Sequence, residues 1–287
     1  MITREINWVE SIDPNNRLKL KTLENQLADF YSSNPDYYAN IDFTSNNWID
    51  VNEIGYREIL KIISECKEIC EVGCGSANIL KHHTHLEPLY SGCDFSELLM
   101  EKNRQLYPKA NFTAIKEPNI LPFPDISFDL VFSIFVIEHS TNPAKFLKEC
   151  SRILKPGGKL IILCPDFLGS GRMTSQRAGW SSGTSIQKLK KGKICDAIVT
   201  LFDNRIRIPF RCKQFAKIAA VSPLFLVNVT PVVFEDTFSP DVDAVYVTYK
   251  TEIKEYLKSH FQVNENASDV SLYENERRII FLSLNKF

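Results

Sequence analysis

Residues 69–78 read Ile69-Cys70-Glu71-Val72-Gly73-Cys74-Gly75-Ser76-Ala77-Asn78. An apolar run broken only by Glu71 leads into Gly73-x-Gly75, and helical spacing begins straight after it at Ala77. Glycines at a strand-to-helix turn let the chain reverse tightly and let a ligand come close to the backbone. Outward from this stretch the same unit repeats. Short apolar runs at Leu89–Cys93, Asn111–Ile115, Phe128–Phe135 and Lys159–Cys164 alternate with amphipathic stretches at Ala77–His82, Ser96–Tyr107 and Ala144–Leu154. Alternation at this spacing predicts βαβ units, hence a parallel sheet with helices on both faces. Lys155-Pro156-Gly157-Gly158 is expected to end one helix and turn into the next strand.

The rest of the chain divides around this core. Thr251–His260 reads as a helix, Phe261–Asn264 as an edge strand and Arg278–Leu284 as a final strand, so 251–287 is expected to complete the sheet begun by 58–164. The connection between, 165–250, is far longer than an ordinary loop and reads as an inserted substrate-binding cap. Residues 1–57, with a helix over Leu18–Phe30, form a second covering piece. The chain has 287 residues, 34 Lys+Arg and 35 Asp+Glu; a net charge of −1 gives no global attraction to nucleic acid or an anionic membrane. Charges in the first thirty residues interrupt any apolar segment, and the longest uncharged run, Ile218–Phe234, is too short to span a bilayer and contains two prolines. A cytoplasmic protein is the simplest expectation. Eight cysteines without a CxxC pair read as small buried hydrophobes, and the His82, His83, His85 cluster reads as a solvated loop, so no metal is expected.

Three positions give the glycine turn a chemical meaning. Asp94 ends the next strand about twenty residues on, where a carboxylate can accept hydrogen bonds from both ribose hydroxyls. Glu117 follows the third strand, and Phe135 to His139 follow the fourth, at the sheet edge where open α/β folds bind ligands. A dinucleotide fingerprint would need a third glycine where Asn78 stands.

Glu71-Val-Gly-Cys-Gly75, Asp94, Leu121-Pro-Phe-Pro-Asp-Ile-Ser-Phe-Asp-Leu-Val131, Glu138-His139 and Leu154-Lys-Pro-Gly-Gly158 together resemble the class I S-adenosylmethionine-dependent methyltransferases. Within these, the chain looks like the small-molecule, type 11-like branch that includes quinone and sterol methyltransferases. The resemblance is strong over 58–164 and looser over 250–287. It implies a Rossmann-like seven-stranded sheet whose last strand, here Arg278–Leu284, is antiparallel. It implies S-adenosylmethionine as cofactor and S-adenosylhomocysteine as product. Carried over residue by residue, Glu71, Gly73, Cys74 and Gly75 match the loop that holds the methionine part, Asp94 the ribose-binding acid, and Phe95 a neighbour of the adenine. Glu117 stands where the family often has Asp, with Pro118 after it, while Ser133, Phe135 and His139 match positions along the methyl-donor channel.

Methyl transfer from a sulfonium is an in-line displacement, so the protein's work is positioning, water exclusion and, for a hydroxyl acceptor, removal of a proton. His139, Asp243 and Asp241 are the candidate catalytic residues; Tyr37, Tyr38, Trp48 and Asp166 are candidates for holding the acceptor. Between Lys188 and Lys217 nine Lys/Arg face two acids, a local balance of +7 against −8 elsewhere. That basic, apolar-interleaved stretch suits an anionic or lipid-linked acceptor or a peripheral membrane contact, and nothing in it resembles a nucleic-acid module. O-methylation of a natural product, glycan or lipid-linked molecule is the favoured reaction. N- or C-methylation, a protein substrate and a non-catalytic cofactor-binding partner stay open, as does the oligomeric state.

Overall fold

The computed structural model describes residues 6–33, 53–171, 184–231, 233–234, 241–242 and 244–287. Its centre is a seven-stranded sheet. In chain order β1 is Trp8–Glu10, β2 Ile69–Val72, β3 Tyr90–Asp94, β4 Asn111–Ala114, β5 Phe128–Ile134 and β6 Leu154–Pro165. Further on lie β7 Leu226–Asn228, β8 Val233–Phe234, β9 Asp241–Val242, β10 Phe261–Val263 and β11 Ile279–Lys286. The central order is β4-β3-β2-β5-β6-β11-β10. Strands β2 to β6 run parallel, β11 is antiparallel to β6, and β10 is antiparallel to β11. The order reverses between β2 and β5, which makes that point the topological switch of the sheet.

All four residues of β2 are buried, as are nearly all of β5 and the second half of β6. Burial on two faces explains why these strands read as continuous apolar runs rather than alternating ones. One face packs Val131, Leu160 and Ile162 against Leu147, Cys150 and Ile153 of the helix Pro143–Ile153. The other packs Leu130, Phe132 and Ile161 against the helices Ile54–Ile63 and Glu97–Leu106. The helix Pro143–Ile153 starts cleanly because Asn142 caps it, accepting from the Lys145 amide at 3.0 Å, with proline in the first turn. It ends into strand directly: Lys155 to Gly158 lie within β6 as an irregularity, the pairing jumping from Phe128↔Leu154 to Leu130↔Lys159. The expected sharp turn is thus a strand bulge, with Gly157 at φ +76° taking the strain. The helix Ser268–Arg277, hidden in sequence by its many acids, precedes β11.

The segments before β2 and after β6 join each other. Strand β1 pairs antiparallel with β7 in the register Trp8↔Asn228 to Glu10↔Leu226. Leu23 and Leu27, from the helix Arg17–Ser33, pack against Val227 and Val245. Within the connection after β6, Phe167 and Leu168 pack against Ile208 and Cys212. Glu252 fastens the return of the chain: buried, it accepts from the Leu224 amide (2.7 Å), the Phe225 amide (2.9 Å) and the Tyr246 hydroxyl (2.7 Å). Glu252→Ala would orphan three buried donors, and a loss of about 2–4 kcal/mol of unfolding free energy is expected in urea titration.

Candidate functional site

The site forms where β2 and β5 end side by side. Gly73 has φ +74°, and a β-carbon there would stand 2.3 Å from Val136 Cγ2, so the loop after β2 lies directly against the loop after β5. At Gly75, φ is +48° and an added β-carbon would meet no heavy atom within 4 Å. One glycine is required by packing, and the other borders open space. Strain gathers here too: Ala77 (φ +52°) and Phe135 (φ +54°) are left-handed without being glycine, the latter pinned by its amide donating to the Leu163 carbonyl at 2.8 Å.

Asp94 ties the loops together. Its Oδ2 accepts from the Gly75 amide at 3.0 Å and its Oδ1 from the Ser96 amide at 3.1 Å. Burial pushes its pKa up, while the Ser96, Gly75 and Phe95 amides work against that shift. Asn103, from the helix after β3, donates to the Gly75 carbonyl at 2.8 Å and fixes the turn from the other side. Cys74 is buried, its Sγ 3.9 Å from Met100 Sδ, so it packs the loop down. Glu71 lies beneath the loop, accepting from the Tyr90 hydroxyl at 2.5 Å. Burial, reinforced by the charge of Asp94, raises its pKa to about 8 against the opposing effect of that hydrogen bond. Glu71 is therefore largely protonated at neutral pH.

Of the other sequence candidates, Glu117 is exposed beyond β4, Pro118 and Phe95 are half-buried, and Ser133 is buried with its hydroxyl unpartnered among the described residues. His139 sits in the short turn Ile137–His139 after β5, its Nδ1 3.0 Å from the Tyr31 hydroxyl. Asp166 caps the helix Phe167–Ser170, accepting from the Gly169 amide at 3.0 Å, and burial raises its pKa to about 6. It also lines a cavity of about 310 Å³ with Lys250, Glu274 and Arg278. The backbone of Asp241 lies in β9, with no side-chain position described; Asp243, Tyr37, Tyr38 and Trp48 fall outside the described residues. No three His, Cys, Asp or Glu side chains gather to hold a metal among the described residues.

Two contributions escape the sequence reading. The helix Arg17–Ser33 reaches the site edge through Tyr31 to His139 and through Glu24, which accepts from Asn119 Nδ2 at 2.8 Å; Ser140 in turn donates to Asn119 Oδ1 at 3.2 Å. Tyr56 is the other, 2% exposed, its hydroxyl unpartnered among the described residues and near enough to feel the charge of Glu71. An open space at Gly75 with the Asp94 carboxylate beside it suits a nucleoside-bearing cofactor.

A family model described as a methyltransferase domain matches residues 70–162, the stretch holding Glu71, Asp94 and the β5 loop. Residues 70–162 are thus similar to a methyltransferase domain. S-adenosylmethionine is the cofactor such domains take, and the residues around Gly75 fit it. A probable S-adenosylmethionine-dependent methyltransferase of Mycolicibacterium smegmatis is 30% identical over 125 residues, 42% of this chain and 46% of that protein. The demethylmenaquinone methyltransferase of Tropheryma whipplei is 30% identical over 97 residues, 33% of this chain and 41% of its own length. The chain thus spans less than half the length of the curated relatives it matches. A solved putative S-adenosylmethionine-dependent methyltransferase of Listeria monocytogenes shares the fold, with a TM-score of 0.50 and 15% identity over 81% of this chain and 98% of that one.

Because the native state holds the Glu71 proton to about pH 8 and the unfolded chain releases it near 4.5, the stability this proton confers is present at acid pH. It is lost as pH rises through about 8. Glu71→Gln should therefore gain on the wild type as pH climbs from 5 to 9, at no more than about 1.4 kcal/mol per pH unit, in thermal unfolding followed at several pH values.

Proposed function

We propose that the chain transfers the methyl group of S-adenosylmethionine to an oxygen of a small-molecule acceptor. The observation that carries the reading is the Asp94 carboxylate held by the Gly75 and Ser96 amides beside the open space at Gly75. When bound, the cofactor supplies an activated methyl on a sulfonium, so the protein has no leaving group to prepare.

The chain's residues divide that work. Asp94 accepts the ribose hydroxyls, with Phe95, Glu117 and Pro118 on the adenine side. The turn Gly73–Gly75 presents backbone to the methionine part, and Glu71, carrying its proton, holds the loop from below without adding a charge. Ser133 and Phe135 border the channel toward the acceptor. His139 takes the acceptor's proton, steadied by the Tyr31 hydroxyl at 3.0 Å. The acceptor is bound by Asp166, Asp241 and Asp243 from the cap side, with Tyr37, Tyr38 and Trp48 covering it. Holding donor and acceptor in line excludes water and supplies an entropic advantage of about 7–11 kcal/mol in well-oriented systems. The name of the Tropheryma relative, which refers to a quinone precursor, is in keeping with a hydrophobic small-molecule acceptor.

Calorimetric titration with S-adenosylhomocysteine is expected to show micromolar binding that Asp94→Ala weakens at least tenfold, about 1.4 kcal/mol. No binding by well-folded protein overturns the reading. Once an acceptor is found, His139→Ala should lower kcat about 10²-fold or more and leave S-adenosylhomocysteine affinity within about twofold. An unchanged kcat removes His139 from the proton transfer.

A further inference from the structure

The cap's helices bury one face and leave an unusual one outside. Ser185–Lys190, Ile194–Phe202 and Ile208–Ala219, with a π-helical turn at Asp203–Arg207 between the last two, bury Ala197, Thr200, Ile208, Cys212 and Ala219. Outside stand Ile194, Ile198, Leu201, Phe202, Ile206 and Phe210, each between 44% and 60% exposed. Ile194, Ile198, Leu201 and Phe202 recur at the spacing of one helix face, and Ile206 and Phe210 continue the step of four. Of the eighteen exposed large hydrophobics among the described residues, ten fall between Ile186 and Val221. A concentration of that kind marks an interaction surface.

The charges on this face are of one sign. Both acids of the stretch are engaged inside the cap: Asp196 lies 3.4 Å from the buried Lys188, which also donates to Thr200 at 2.9 Å, and the buried Asp203 accepts from Arg207 at 2.9 Å. The remaining seven bases, among them Lys190, Lys193, Arg205 and Arg211, are exposed beside the apolar side chains with no exposed acid among them. A second copy of the chain would set these cations against their own kind. Nucleic acid offers phosphates but no hydrocarbon, and Phe202 and Phe210 are the only exposed rings on the face. An anionic bilayer offers both anions and hydrocarbon at one boundary.

We propose that the outer face of residues 186–221 docks on an anionic lipid bilayer, its aliphatic side chains entering the headgroup boundary and its Lys/Arg meeting the lipid charges. No described helix is long and apolar enough to cross a membrane, so this face lies on the surface. The inference rests on the cap surface alone and is read without the cofactor or a methylation assay.

The test is flotation of the full chain with vesicles of phosphatidylcholine alone and of an equimolar mixture with phosphatidylglycerol. Binding to the mixture is expected, at least about tenfold stronger than to phosphatidylcholine and weakened by high salt. Ile198→Gln with Phe210→Gln, and separately Lys190→Gln with Lys193→Gln and Arg211→Gln, should each lower partitioning about tenfold. Circular dichroism and S-adenosylhomocysteine titration should match the wild type in both. Failure of the wild type to float with the mixed vesicles overturns the proposal, as does binding that neither set of changes weakens. Self-association in sedimentation that Ile198→Gln with Phe210→Gln abolishes also overturns it, by giving the face to a second copy.

Discussion

Everything in the site depends on how closely two loops approach at the point where the sheet reverses its strand order. Gly73 carries no side chain because Val136 occupies the place a β-carbon would take. That contact brings the ends of β2 and β5 together, and Asp94 fixes the β2 loop to the end of β3 through the Gly75 amide. The energy comes from the sheet below: strands buried on both faces hold their ends rigidly enough to keep Ala77 and Phe135 in left-handed conformations. Function here is the rim of a well-packed core.

The same economy shapes the electrostatics. Two carboxyls lie close together under and beside one glycine loop, and burial raises the pKa of both. Glu71, sunk beneath the loop and accepting from the Tyr90 hydroxyl, is driven toward the protonated form. Asp94 has peptide amides to oppose its burial and sits where ligand hydroxyls can reach it. A neutral acid below and a hydrogen-bond acceptor above suit a cofactor whose own charge lies on sulfur and at its amino-acid end.

The core was readable because its signals are local. Gly73-x-Gly75, Asp94 and the run Leu160-Ile161-Ile162-Leu163 declare strand, turn and edge within a few residues of themselves; the count of seven strands and the antiparallel β11 were implied by the methyltransferase resemblance that such residues carry. The missed parts are those where partners lie far apart in the chain. Trp8–Glu10 becomes a strand only because Leu226–Asn228 runs beside it, and a three-residue segment has no period to detect. Tyr31 meets His139 across 108 positions and Glu24 meets Asn119 across 95, so neither pairing leaves a mark in local spacing. Tyr56 fell within the stretch 1–57, where no motif pointed to it, and only its burial with a hydroxyl unpartnered among the described residues sets it apart. The basic stretch 188–217 was visible as composition; that Lys188 and Arg207 turn inward to consume both acids needed the structure.

The space bounded by Gly73, Gly75 and Asp94 is the proposed seat of the methyl donor. A crystal structure of the chain with S-adenosylhomocysteine tests it most directly. Ribose hydroxyls should lie on the Asp94 carboxylate and the homocysteine part along the Gly73–Gly75 backbone. Ligand density elsewhere, or an Asp94 still bonded only to Gly75 and Ser96 at saturating ligand, would contradict it.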